Sequence, residues 1–125
     1  MKVLLIDDDD VFNFVHKRII ERVSQGVEVM VLNTCQKALD YLEEPGLVMP
    51  DYIFLDINMP EMNGFEFLDA TARLPERIKS NLKVVFVTSS LNEADVVKAN
   101  SYPMVVGFQD KPLNSELIAR LLDKK

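Results

Sequence analysis

The sequence predicts an α/β domain: a five-stranded parallel sheet, doubly wound, with helices on both faces. Two observations predict it. Short branched apolar runs alternate with amphipathic stretches of helical spacing, five times over. Strands that alternate with helices build parallel sheets through crossover connections, which leaves only a few topologies open. The 125 residues suit one domain, residues 1–125, with a core large enough to need neither disulfides nor a structural metal.

The elements follow in order. "VLLI", Val3 to Ile6, reads as a buried strand that runs straight into four aspartates, Asp7 to Asp10. Residues 10–24 have helical spacing, with Phe12, Val15, Ile19 and Val23 on one side, and Gly26 stops the helix. His16 is expected on the outer part of this helix, whereas the sequence does not decide whether Phe12 and Phe14 face the core or a partner. "VEVMVL", residues 27–32, alternates before turning fully apolar, as a strand near a sheet edge does. Residues 35–44 form a second helix, closed by Pro45-Gly46. "YIFLDI", residues 52–57, is a buried strand and "NMPEMNG" a loop. The helix that follows carries Phe65, Leu68 and Ala72 on one stripe, until Pro75 interrupts it. "VVFV", residues 84–87, is a buried strand ending in Thr88; residues 92–101 form a short helix closed by Pro103. "VVGF", residues 105–108, is a weaker strand, and the last helix starts near Ser115 with Leu117, Ile118, Leu121 and Leu122 turned inward.

In such sheets ligands gather at the carboxyl ends of the strands. There the sequence sets Asp7 and Asp8 after the first strand, Asp56 at the third, Thr88 at the fourth and Lys111 just past the fifth. Three carboxylates close together need a cation or a proton. Magnesium, a hard ion that prefers oxygen, suits them, with phosphate oxygens and water completing its shell. A carboxylate can also attack phosphorus to form an aspartyl phosphate, with a lysine, a metal and a hydroxyl offsetting charge on the transferring group. Asp9 and Asp10 suit the start of the first helix, against its dipole and free amides.

The acid pair after strand one, "FLDINMPEMNGFEFL", "VVFVTSS" and "FQDKPL" together resemble the receiver domain of two-component response regulators over nearly the whole chain. The resemblance implies the flavodoxin-like strand order 2-1-3-4-5. It implies that Asp56 accepts the phosphoryl group and that Mg2+ (or Mn2+) is held by Asp8, Asp56 and the backbone carbonyl of Asn58, with Asp7 acting largely through water. Thr88 corresponds to the switch hydroxyl, Lys111 to the lysine that pairs with the phosphoryl group, and Phe108 to the aromatic switch position. A cis Lys111–Pro112 bond is implied as well. Asn58 and Ser90, two residues after the aspartate and the threonine, imply no extreme phosphoryl lifetime. The implied partners are a sensor histidine kinase or a histidine phosphotransfer protein, and a downstream protein. The chain is then a monomer or a weak dimer through the face of its fourth helix, fifth strand and last helix (α4-β5-α5 in the family).

Other function classes fit less well. "DDDDV" also fits the D-x-D-x-V pattern of haloacid-dehalogenase-like phosphatases, with Asp7 as nucleophile and Asp9 as general acid. That site needs an acid pair after its lysine, and here only Glu116 and Asp123 follow Lys111, seven residues apart. A receiver-like module working without phosphorylation would have a damaged site, and all five matched side chains are intact. A flavin protein would carry a phosphate loop after strand one. The net charge of −6 argues against nucleic acid, which calls for a basic face. No apolar run approaches the ~20 residues of a membrane span. The lone cysteine, Cys35, excludes an internal disulfide. With no expected secretory leader, these features point to the cytoplasm.

Overall fold

The structure is a computed structural model that describes residues 1–89 and 92–123. Its strands are β1 (Lys2–Ile6), β2 (Glu28–Leu32), β3 (Tyr52–Leu55), β4 (Val84–Thr88) and β5 (Val105–Asp110). Its helices are α1 (Asp10–Val23), α2 (Cys35–Leu42), α3 (Gly64–Ala70), a short α4 (Glu76–Lys79), α5 (Glu93–Ala99) and α6 (Ser115–Asp123). All strand pairs are parallel, in the order β2-β1-β3-β4-β5. The doubly wound, flavodoxin-like sheet expected from the sequence is therefore the observed one, with β2 at an edge.

The period-2 alternation of a strand splits the core into two layers. Leu4, Ile6, Ile53, Leu55, Val84 and Phe86 pack on one face against α2, α3 and α5. Val3, Leu5, Tyr52, Phe54, Val85 and Val87 pack on the other against Ile20 of α1 and Ile118 and Leu122 of α6. Side-chain caps start the helices: Asp9 for α1, Thr34 for α2, Asn63 for α3 and Asn92 for α5. Asn63 and Glu66 form a full capping box. Asn114 accepts from the Glu116 and Leu117 amides at the start of α6.

Three expectations need correction. The buried face of α1 is Asn13, His16 and Ile20, one residue round from the predicted stripe, so His16 lies inside rather than outside. The strand at Tyr52 ends at Leu55, because the chain turns at Asp56. Ala72 is exposed, since α3 tightens into a 3-10 turn at Thr71–Arg73 before Pro75.

The loop after Asp56 folds back tightly. Met62 N–H donates to Pro60 O (2.7 Å) while Glu61 takes a φ of 67°. Gly64 N–H then donates to Ile57 O (2.8 Å), which brings α3 against the backbone beside Asp56. A Cβ on Gly64 would meet Phe86 Cε1 at 2.8 Å, Asp56 O at 3.0 Å and Ile57 Cα at 3.1 Å. Gly64→Ala is therefore expected to destabilise the fold by about 1–3 kcal/mol, as overpacking does. Urea denaturation measures this, and an unchanged midpoint would contradict the contact.

Candidate functional site

Strand register builds the site. Ile6 pairs with Leu55, Leu55 with Phe86, and Phe86 with Phe108. The residues just beyond those pairs therefore reach the same edge. Asp56 N–H donates to Ile6 O (3.0 Å) and Lys111 N–H to Thr88 O (3.0 Å), extending the ladders into the loops. As a result Asp7, Asp8 and Asp56 present carboxylate oxygens that all lie within 4.8 Å of one another.

The groups differ in environment. Asp7 and Asp56 are buried and Asp8 is exposed. Both oxygens of Asp7 are engaged: Oδ1 accepts from Asp9 N–H (2.9 Å), and Oδ2 lies 2.6 Å from Lys111 Nζ. The same ammonium lies 3.6 Å from Asp56 Oδ2, and the Lys111 side chain is only 5 % exposed, so this is a buried ion-pair network. Asn13 donates to the Asp7 carbonyl (2.8 Å) and locks the turn between β1 and α1. Thr88 is fully buried, with Oγ1 3.4 Å from Asn58 Nδ2. Phe108 is partly buried against the α2–α3 side of the core. The Lys111–Pro112 peptide is cis, as the resemblance implied. Ser90, the other position expected to tune lifetime, lies outside the described residues.

Burial pushes the Asp56 carboxyl up to about 6, and the neighbouring Asp7 charge adds to the rise. Lys111 and the backbone amide of Asn58 act in the opposite direction. His16 is pushed down to about 4 by burial, so it is neutral near pH 7. A carboxylate disfavoured in its charged form beside two more carboxylates suits a hard divalent cation with oxygen ligands.

The sequence profile described as "Response regulator receiver domain" matches residues 3–123. The chain belongs to the response regulator receiver domain family. This receiver is similar to a two-component response regulator from Cytophaga hutchinsonii, at 34% identity and a TM-score of 0.89, covering 98% of this chain and 94% of that one. It is 30% identical to a probable methanogenesis regulatory protein of Methanothrix harundinacea, covering 98% of this chain and 79% of that protein. It is 27% identical to an uncharacterized response regulatory protein of Vibrio cholerae, covering 99% of this chain but only 48% of that protein. The phosphatase alternative finds no support. Asp9, its general acid, is instead the α1 cap, accepting from Val11 and Phe12 amides at 2.9 and 3.2 Å.

Asp7, Asp8, Asp56, Asn58, Thr88 and Lys111 lie at this edge, and Phe108 lies in the strand leading to it. Sequence reasoning missed the supporting residues of the receiver: Asn13 behind Asp7, His16 and Phe12 on α1, and Gly64 under Asp56. The signal was available for two of them, as polar residues spaced i, i+3 next to the acids, but polarity argued for an outward face.

The raised Asp56 value has a consequence for stability. Between its ordinary value of 3.8 and about 6, folded Asp56 holds a proton that the unfolded chain has released. Rising pH through that window therefore removes stability from the metal-free protein. Asp56→Asn is expected to be the more stable form at pH 7 without divalent ions, by roughly 1–3 kcal/mol, and to match wild type near pH 4. Thermal melts in chelator across pH measure this; a less stable variant at pH 7 would contradict it.

Proposed function

We propose that the chain is a phospho-accepting signalling switch and that Asp56 receives the phosphoryl group. The donor is a phosphohistidine on a sensor histidine kinase or a histidine phosphotransfer protein. An Asp56 oxygen attacks phosphorus, the P–N bond breaks, and its electron pair returns to the imidazole, which takes up a proton. The observation that carries this reading is a buried carboxylate of raised pKa, ringed by two other carboxylates and 3.6 Å from a buried ammonium.

Asp8, Asp56 and the Asn58 carbonyl are the proposed ligands of a Mg2+ or Mn2+ ion, with Asp7 acting through water. Asp7 supports that division, since its oxygens are already engaged and those of exposed Asp8 face solvent. When bound, the ion would offset charge on the phosphoryl oxygens. Lys111 binds a phosphoryl oxygen and Thr88 donates its hydroxyl to another. The added charge of about −1.5 to −2 draws these groups in and biases the fold between two conformations. Phe108, beside them on β5, relays the change to the surface of α5, β5 and α6. Exposed Val97 and Val106 on that surface suit a downstream protein or a weak dimer. The chain is a switch that catalyses its own phosphorylation and dephosphorylation, rather than an enzyme with external turnover. We place it in the cytoplasm; among the described residues no helix is long and apolar enough to cross a membrane.

Acetyl phosphate with magnesium is expected to label the chain with about one equivalent of hydroxylamine-labile phosphate, carried on Asp56. Asp56→Asn is expected to abolish that label, measured by intact mass, and persistent stoichiometric labelling would refute the assignment. Lys111→Ala is expected to accept phosphate slowly and to fail to switch. Wild-type partner affinity in the phosphorylated variant would refute its role.

A further inference from the structure

The Lys111 ammonium has a third contact, beyond the two carboxylates. Its Nζ lies 4.5 Å from the centroid of the Phe12 ring. That ring is held in place from two sides. Its backbone is fixed in the first turn of α1, where Phe12 N–H donates to the Asp9 cap. The ring also packs against that of His16, with centroids 5.5 Å apart and planes inclined by 30°. His16 is buried and neutral near pH 7, and Asp7 and Lys111 are the charges it faces. An aromatic face attracts a cation through its quadrupole without adding charge of its own.

We propose that Phe12 is a positioning residue for Lys111: its ring, packed against His16, holds the ammonium beside Asp56 when a divalent ion engages the neighbouring carboxylates. The physical need is clear. A divalent cation arriving at the acid cluster weakens the hold of Asp7 on Lys111 and repels the ammonium. A neutral π-face is a partner that the ion does not compete for. This role rests on the reading of Asp56 as phospho-acceptor, and it deepens that reading.

The test uses the full chain with phenylalanine 12 replaced site-specifically by mono-, di- and trifluorophenylalanine, alongside Phe12→Leu and Phe12→Tyr. Fluorination keeps the shape of the ring and drains its negative face, so a purely packing role would not respond. With acetyl phosphate and magnesium, the maximal labelling rate is expected to fall stepwise with each fluorine. It falls about three- to tenfold in Phe12→Leu, with the donor KM unchanged, and the aromatic Phe12→Tyr restores it to within roughly twofold. A flat fluorine series, or Phe12→Leu labelling at the wild-type rate, overturns the proposal. An independent readout needs no phosphoryl donor: the Lys111 side-chain methylene protons next to Nζ carry an upfield ring-current shift in NMR that persists when magnesium is added. Loss of that shift on adding magnesium overturns the proposal even if labelling occurs. If the shift persists but wild type takes no label on Asp56, it is the phospho-acceptor reading that fails, and the kinetic role of Phe12 falls with it.

Discussion

Three carboxylates share a space less than 4.8 Å across at the carboxyl edge of the sheet, two of them buried. The rest of the structure answers to that crowding. Two unit charges about 4 Å apart repel by roughly 4 kcal/mol at an effective dielectric near 20, and burial adds a desolvation cost to each. The Lys111 ammonium, 2.6 Å from Asp7 and 3.6 Å from Asp56, offsets part of this. Burial, with the neighbouring Asp7 and Asp8 charges adding to it, outweighs that one positive charge, so Asp56 stays disfavoured as an anion. A site in that condition is prepared for additional positive charge, which a divalent ion would supply.

Holding the groups together falls to backbone chemistry more than to the side chains themselves. The parallel ladders bring Asp7 and Asp56 level, and the loops keep hydrogen-bonding past the strand ends. The opening aspartates divide their labour. Asp7 and Asp8 join the cluster, Asp9 caps α1, and Asp10 sits in its first turn, where a negative charge suits the helix dipole. The Asp9 amide also satisfies one oxygen of Asp7, so the cap and the site are one hydrogen-bonded unit. On the other flank, the missing side chain of Gly64 allows α3 to close on the backbone that carries Asp56.

Much of this was legible in the sequence because the relevant signals are local. Apolar runs marked all five strands, and acids or hydroxyls at their ends marked the edge where they meet. What was not legible depends on packing between elements. His16 and Asn13 are polar, and hydropathy alone turns such residues outward; only the need to brace Asp7 and Phe12 explains an inner face of Asn13, His16 and Ile20 on α1. Ala72 fails in the opposite sense: it is apolar and spaced correctly, but the 3-10 turn before Pro75 rotates it to the surface. The cradle beneath Asp56 involves Gly64 and Phe86, 22 residues apart in the chain, and no periodicity announces such a contact.

Family membership and fold are shared with many proteins, and the chain spans only 48% of one of its curated relatives. One helix, α1, builds the underside of the site: an aromatic ring, a buried histidine and an asparagine lie against the acids and the lysine. The central claim is that the converging carboxylates bind one divalent ion beside Asp56. Anomalous diffraction from crystals grown with manganese tests it most directly. The account predicts a single strong peak within bonding distance of Asp8 and Asp56 oxygens, with Lys111 still beside Asp56. A manganese-loaded crystal whose peaks all lie elsewhere on the molecule would contradict it.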